Sequence, residues 1–202
     1  DMLLEMSKES TMVVMGSRGL SGISGMVLGS VSGAVVSHAS CPVVVVREDN
    51  AVTEANKYGP VVVGVDGSEV SRRATEVAFE EAAARGAELH AVHTWVDTQI
   101  QGPGAGYAVS EDHWKAVRAE KDELLSSYLN ELSEQYPDVV VKKAITRDRP
   151  VRALAAAAQG AQLLVTGSHG RGGFKGMLLG STSRALLQEA PCPMMVVRTQ
   201  DL

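Results

Sequence analysis

The chain has 202 residues, a formal net charge of −5, 45% apolar residues and two cysteines. That length allows one or two globular domains, and the mildly acidic balance, with no Lys/Arg-rich tract, argues against a nucleic-acid or membrane-surface binder. The cysteines stand in equivalent settings, Cys41-Pro42 and Cys192-Pro193; they make no disulfide framework and fit reduced thiols in a cytosolic protein.

Residues 1–11 read as the end of a helix, with Leu3, Leu4 and Met6 apolar and Glu5, Lys8 and Glu9 polar. The chain opens at Asp1 rather than methionine, so a fragment or processed chain is expected. The first residues lack the basic-then-apolar pattern of a signal peptide. A strand is predicted at Thr11–Met15, a glycine loop at Gly16–Leu28, a helix from Ser30 to Ser37 and a strand at Pro42–Arg47. Gly25, Gly29 and Gly33 fall at GxxxG spacing, but the run is too short to span a bilayer and carries Ser30, Ser32, Ser37 and His38. A strand–helix–strand crossover cannot bury both faces of its strands alone. Residues 1–47 are therefore expected to be a partial unit, and the polar, aperiodic 48–59 a linker.

A complete unit is expected over 60–198. Val61–Asp66 is a buried strand ending in an acid, and Gly67-Ser68 turns the chain. Glu69–Arg85 carries Val70, Ala74, Val77, Ala78 and Ala82 on one face, and Gly86 stops it. Leu89–Trp95 is a second strand, and Asp97–Ala108, rich in Gly, Gln and Pro, is expected to be a mobile loop. Asp112–Gln135 is a long amphipathic helix with Trp114, Val117, Leu124, Leu125, Tyr128 and Leu132. Val139–Ile145 is a third strand, and Pro150 opens a helix through Ala158. Strands alternating with helices imply a doubly wound parallel sheet, whose ligand crevice lies beyond the carboxyl ends of the strands. Asp66, Thr94 and Gly167 all fall at or near such ends.

The stretch Leu163–Arg198 closes the unit: an apolar strand, a glycine loop, a short helix, then a second apolar strand. Gly167 and Gly170 are separated by two residues, Gly170 and Gly180 by nine, and Ser181 and Thr182 follow where a helix begins. Glycines let backbone approach a ligand closely, and free N–H groups at a helix start favour phosphate; Ser181 could also cap that helix. Met12–Arg47 repeats the stretch at a constant offset of 151 residues, without a gap. Gly16, Gly19, Gly29 and Ser30 match Gly167, Gly170, Gly180 and Ser181. Two copies of one unit are expected to share a backbone.

The strand-Asp66-Gly67-Ser68 opening, the Gly-x2-Gly-x9-Gly-Ser motif and the closing Cys-Pro-apolar strand resemble the universal stress protein family. The resemblance covers 60–198 as a full domain and 1–47 as the last third of another. It implies a Rossmann-like five-stranded sheet of order 3-2-1-4-5, dimerisation through the fifth strand, and, for the subgroup carrying the glycine motif, ATP with magnesium as its companion ion. Carried over, Asp66 would contact the ribose or adenine, and Thr94 adenine through its backbone. Thr166 and Gly167 would line the base and ribose side, and Gly170, Gly180, Ser181 and Thr182 would hold the phosphates. His169, Arg171 and Lys175 are added as charge partners. Residues 16–30 keep the loop glycines without a counterpart of Asp66, so no complete site is expected there within one chain. The fifth strand of the first copy could pair with that of the second, as in family dimers, leaving its fourth strand as an open edge.

Three functions compete. The first is an ATP-binding regulatory protein of the stress response, a homodimer or intrachain pseudo-dimer. The second is a slow ATPase, although no GxxxxGK[ST] is present and no pair of acids is placed for metal-assisted phosphoryl transfer. The third is an interaction scaffold without nucleotide binding. Cys41 and Cys192 read as small apolar residues beginning a strand, and His93 as a packed residue at a strand end.

Overall fold

A computed structural model describes residues 2–17, 28–95, 111–171 and 178–199. Most of the first glycine loop, the expected loop at 97–108 and Lys175 lie outside the described residues. The elements run α1 (Met2–Ser7), β1 (Val13–Gly16), α2 (Ser30–His38), β2 (Val43–Val46), β3 (Val61–Gly64), α3 (Glu69–Arg85), β4 (Leu89–Thr94), α4 (Glu111–Gln135), β5 (Val141–Thr146), α5 (Pro150–Ala157), β6 (Leu163–Gly167), α6 (Ser181–Glu189) and β7 (Met194–Val197).

Local chemistry accounts for their limits. The Ser68 hydroxyl caps α3 by accepting from Ser71 N–H, and Gly86 ends the helix in the left-handed region at φ 58° while its N–H reaches Ala82 and Ala83 carbonyls. Pro150 occupies the first turn of α5, where its missing N–H costs nothing. β5 begins two residues later than the apolar run, because Val139 N–H closes a turn onto Tyr136 carbonyl (3.1 Å) instead of joining the ladder. β3 ends at Gly64, so Asp66 stands just beyond the strand.

Seven strands form one sheet in the order β1-β2-β7-β6-β3-β4-β5. Read within the second repeat this is the order 3-2-1-4-5. Every pairing is parallel except β2 with β7, which is antiparallel and joins the two repeats. Its register sets Val43 opposite Val196, Val44 opposite Met195 and Val45 opposite Met194. At the 151-residue repeat offset Val44 and Met195 are equivalent residues, and the two flanking pairs exchange. A pseudo-two-fold axis therefore passes through the Val44–Met195 pair.

Strands β7, β6 and β3 of the second repeat are covered on both faces, while β1 leaves Val14 exposed. Val61, Val63, Val165 and Met195 pack against α3 and α4, with Phe79 and Leu129 at the centre. Val62, Leu164, Val43 and Met194 face α2, α5 and α6, with Leu154 and Leu186 buried among them. The segment between the repeats is anchored rather than loose. Asn50, 4% exposed, donates from its amide to the carbonyls of Ala190 (3.2 Å) and Cys192 (2.8 Å) and accepts from Arg47 N–H (2.7 Å). Arg47 adds a bond from Nη2 to Ala190 carbonyl (3.0 Å). Among the described residues no helix is long and apolar enough to cross a membrane.

Candidate functional site

The site is assembled where the winding of the second repeat reverses, between β3 and β6. After β3 the backbone turns through Gly67 at φ +79°, a conformation L side chains rarely adopt. Ser71, one turn into α3, accepts the N–H groups of Asp66 (3.2 Å) and Gly67 (3.1 Å) on its hydroxyl and so fixes the turn. The Asp66 carboxylate is held at both oxygens. Oδ1 accepts from Ser68 N–H (2.9 Å) and hydroxyl (2.6 Å), and Oδ2 from Arg171 N–H (2.9 Å) in the loop after β6. Burial pushes the Asp66 carboxyl up, but the hydrogen bonds from Ser68, Arg171 and Ser71 outweigh it and hold the group below its ordinary range. Asp66 is thus an ionised strap between the β3 turn and the glycine loop.

That strap leaves no room at Gly170, where a Cβ would lie 2.2 Å from Asp66 Oδ2. Gly167 is equally constrained, since its Cβ would approach Val70 Cγ1 to 2.8 Å. The loop is tied down from α6 as well. Ser183 hydroxyl donates to Gly167 carbonyl (2.7 Å), and Gly180 N–H donates to Ser168 carbonyl (2.7 Å). A Cβ at Gly180 would meet His169 Cα at 3.1 Å, so that glycine lets α6 start hard against the loop. The N-cap of α6 is Gly180 itself, and Ser181 is the first helical residue rather than the cap.

These ties frame a cleft of about 150 Å³. Asp66, Thr94, Thr166 and Gly167 line it from the strand ends, and His169, Gly170 and Thr182 from the loop and α6. Gly180 and Ser181 are not among its lining residues, and Gly180 stands behind His169. Val92 and Leu154, not singled out in the sequence, form apolar walls, and Ser71 and Ser183 complete the rim. Ser183 carried a usable signal, because its counterpart Ser32 is the same residue in the other copy; Ser71 carried none. Thr166 Oγ1, fully buried, has no hydrogen-bond partner among the described residues. His169 Nδ1 lies 3.0 Å from Ser168 hydroxyl, and His93 Nδ1 lies 2.7 Å from Val65 carbonyl at the end of β4.

The first repeat keeps the loop anchorage and loses the polar lining. Ser32 hydroxyl donates to Gly16 carbonyl (2.9 Å) and Gly29 N–H to Ser17 carbonyl (2.8 Å), repeating the Ser183 and Gly180 bonds. Where Thr166 and Thr182 stand in the second repeat, the first has Met15 and Val31. Cys192 is no reactive counterpart in either site: burial pushes its thiol up to about 12 against the opposing pull of Arg47. Cys41 is likewise buried, with its thiol raised by desolvation.

A doubly wound sheet, parallel throughout the second repeat, with its crevice beyond the strand ends at the switch in strand order, defines a Rossmann-like α/β fold. The family model described as the universal stress protein family matches residues 1–47 and 57–198, and the chain belongs to that family. It is 46% identical over 197 residues to universal stress protein Rv2005c of Mycobacterium tuberculosis, covering 97% of this chain and 64% of the relative. It is 44% identical to Rv1996 of the same organism, covering 97% of this chain and 61% of the relative. The chain thus spans less than two thirds of either relative. Among solved structures, a universal stress protein from Archaeoglobus fulgidus superposes with a TM-score of 0.64 at 26% identity, covering 99% of this chain and 65% of that one.

Proposed function

We propose that the second repeat is an adenine-nucleotide-binding module that serves a regulatory role in the stress response, with ATP as its ligand. The observation that carries this reading is the convergence of Asp66, Thr166 and the glycine loop on one cleft, with the buried Thr166 hydroxyl unpartnered among the described residues. A buried hydroxyl without a partner costs about 1–3 kcal/mol, and a ribose or base acceptor would relieve that cost. Asp66, ionised and fixed, would accept from ribose hydroxyls or the base; Gly170 and the start of α6, with Thr182, would offer backbone N–H groups to phosphate oxygens. Magnesium would enter with ATP as part of the ligand, offsetting the phosphate charge. The cleft's 150 Å³ lies below the ~300–1,000 Å³ usual for enclosed small-molecule pockets, so the nucleotide would be only partly covered.

The role is regulatory rather than catalytic in this reading, because Asp66 has both oxygens engaged in structural hydrogen bonds. The first repeat acts as the pairing half of a pseudo-dimer in a cytoplasmic protein: its Met15 and Val31 offer nothing polar to a nucleotide. Calorimetric titration with ATP and magnesium, after a check for co-purified nucleotide, tests the proposal. Saturation near one site per chain, without steady-state turnover, supports it. An empty, folded protein that binds nothing refutes it in favour of a scaffold.

A further inference from the structure

On the sheet face opposite the cleft, a second cavity of about 260 Å³ opens beside Asp66. Three cations reach it from three different elements: Arg72 from α3, Lys121 from α4 and Arg171 from the loop after β6. Asp66 is the single acid among the described lining residues, and its oxygens are already engaged by Ser68 and Arg171. The cavity therefore carries an excess of positive charge within a chain whose net charge is −5.

The cations are positioned before any ligand arrives. The Arg72 guanidinium carbon sits 4.9 Å from the Tyr128 ring centroid, while Tyr128 hydroxyl donates to the Arg72 backbone carbonyl, so one tyrosine clamps both ends of that residue. The Arg171 guanidinium packs on Gly67 so closely that a Cβ there would lie 2.1 Å from Nη2. Lys121 pairs with Glu120 at 2.9 Å, but the glutamate side chain is 62% exposed and competes weakly through water. Leu125 and Tyr128 supply an apolar wall.

We infer that this cavity is a second ligand site, distinct from the nucleotide cleft, that takes a phosphomonoester. Three guanidinium and ammonium groups, set against the single Asp66 carboxylate, leave an excess of two positive charges that matches a phosphate dianion, and Arg offers it a planar fork of donors. The volume exceeds that of a bare phosphate, and the Leu125–Tyr128 wall suits an attached apolar or aromatic body. Arg171 belongs to both sites: its side chain lines this cavity, while its backbone N–H ties the glycine loop to Asp66. Occupancy here steadies the same residue that shapes the cleft.

The test uses the full chain with inorganic phosphate and phenyl phosphate as probes, followed by calorimetry and phosphorus NMR. Both are expected to bind saturably, phenyl phosphate more tightly. Arg72→Gln and Lys121→Gln are each expected to weaken binding roughly tenfold, the worth of one charge-assisted hydrogen bond. Lys121 lies on the partly exposed face of α4, so its variant keeps the test decisive if Arg72→Gln fails to fold. Saturating ATP is expected to leave phenyl phosphate binding intact or tighter. The inference is overturned if neither probe saturates, if the folded variants bind like the parent, or if ATP displaces the probe, which would place the anion on the glycine loop instead.

Discussion

Gly170→Ala is the substitution that tests the central contact most directly. A Cβ at this position would sit 2.2 Å from Asp66 Oδ2, far inside the closest separation that real Cβ atoms show. The clash has two ways out. The carboxylate can rotate away, or the loop can lift; either breaks the 2.9 Å bond from Arg171 N–H to Oδ2. Hydrogen bonds to charged groups contribute about 1.5–3 kcal/mol, and Asp66 is only half-buried, so a loss of about 1–2 kcal/mol is expected. For a chain of this length that lowers Tm by roughly 2–8 °C. ATP affinity, measured by calorimetry, should fall by about tenfold or more as the loop leaves its seat. Gly180→Ala is the graded control, because its Cβ meets His169 Cα at 3.1 Å and needs a shift of only tenths of an ångström; it should cost under about 1 kcal/mol. The sharper control is a double-mutant cycle. With Asp66→Ala the obstructing oxygen is gone, so Gly170→Ala should then cost almost nothing in Tm. Equal penalties in the two backgrounds, or a Gly170→Ala protein indistinguishable from the parent, would refute the strap.

Three other perturbations separate the remaining roles. Thr166→Val removes the buried, unpartnered hydroxyl; stability should hold or rise by about 1 kcal/mol while ATP affinity drops, and a parallel fall of both in thermal melts and calorimetry would deny the hydroxyl a ligand role. Asp66→Asn should flatten the acid limb of a stability–pH profile. The folded carboxyl titrates below its ordinary value of 3.8, so the unfolded chain takes the proton first; the contribution is complete above about pH 5 and is lost as pH falls through the folded value. A parent and variant that lose stability in step below pH 4 would exclude this linkage. Asn50→Ala removes the donor to the Cys192 carbonyl and the acceptor of Arg47 N–H, while Arg47 Nη2 still holds the Ala190 carbonyl; it should cost about 1–3 kcal/mol, read by hydrogen exchange as faster opening at the β2–β7 join with little change in β3 to β5.

The legible part of this fold is local. Helix α3 follows from Ser68, the apolar spacing after it and Gly86, and its ends are those the sequence marks. The cleft was legible where chemistry and chain turn coincide: Asp66 before Gly67-Ser68, and the glycines before α6. What stayed hidden depends on distance along the chain. Asn50 looks like any polar linker residue because its partners lie about 140 positions away. Leu154 and Val92 look like core because they are core; only the fold turns one edge of each toward a cleft. The cationic cavity is less legible still. Arg171 stands out in the glycine loop, but Arg72 and Lys121 sit among other charges of their helices in sequence, and only the packing of α3, α4 and the loop brings the three to one space.

The duplication supplies an internal control that a single domain lacks. Val14 and Val165 are the same residue at equivalent positions of equivalent strands, each followed in sequence by a glycine-rich run and a short helix. Val165 is fully buried, and Val14 is 62% exposed. Nothing in the strand explains the difference; the neighbours do. β6 lies between β7 and β3 and under α3, whereas among the described residues β1 pairs with β2 alone. The rest of that strand stays in place because its other side is fixed by the dyad-centred ladder to β7 through β2 and by Leu4, Met15 and Leu28 against the α2 side of the core. The antiparallel join thus ties the two copies into one sheet: β2 pairs with β7, and β1 is held to the second repeat through it.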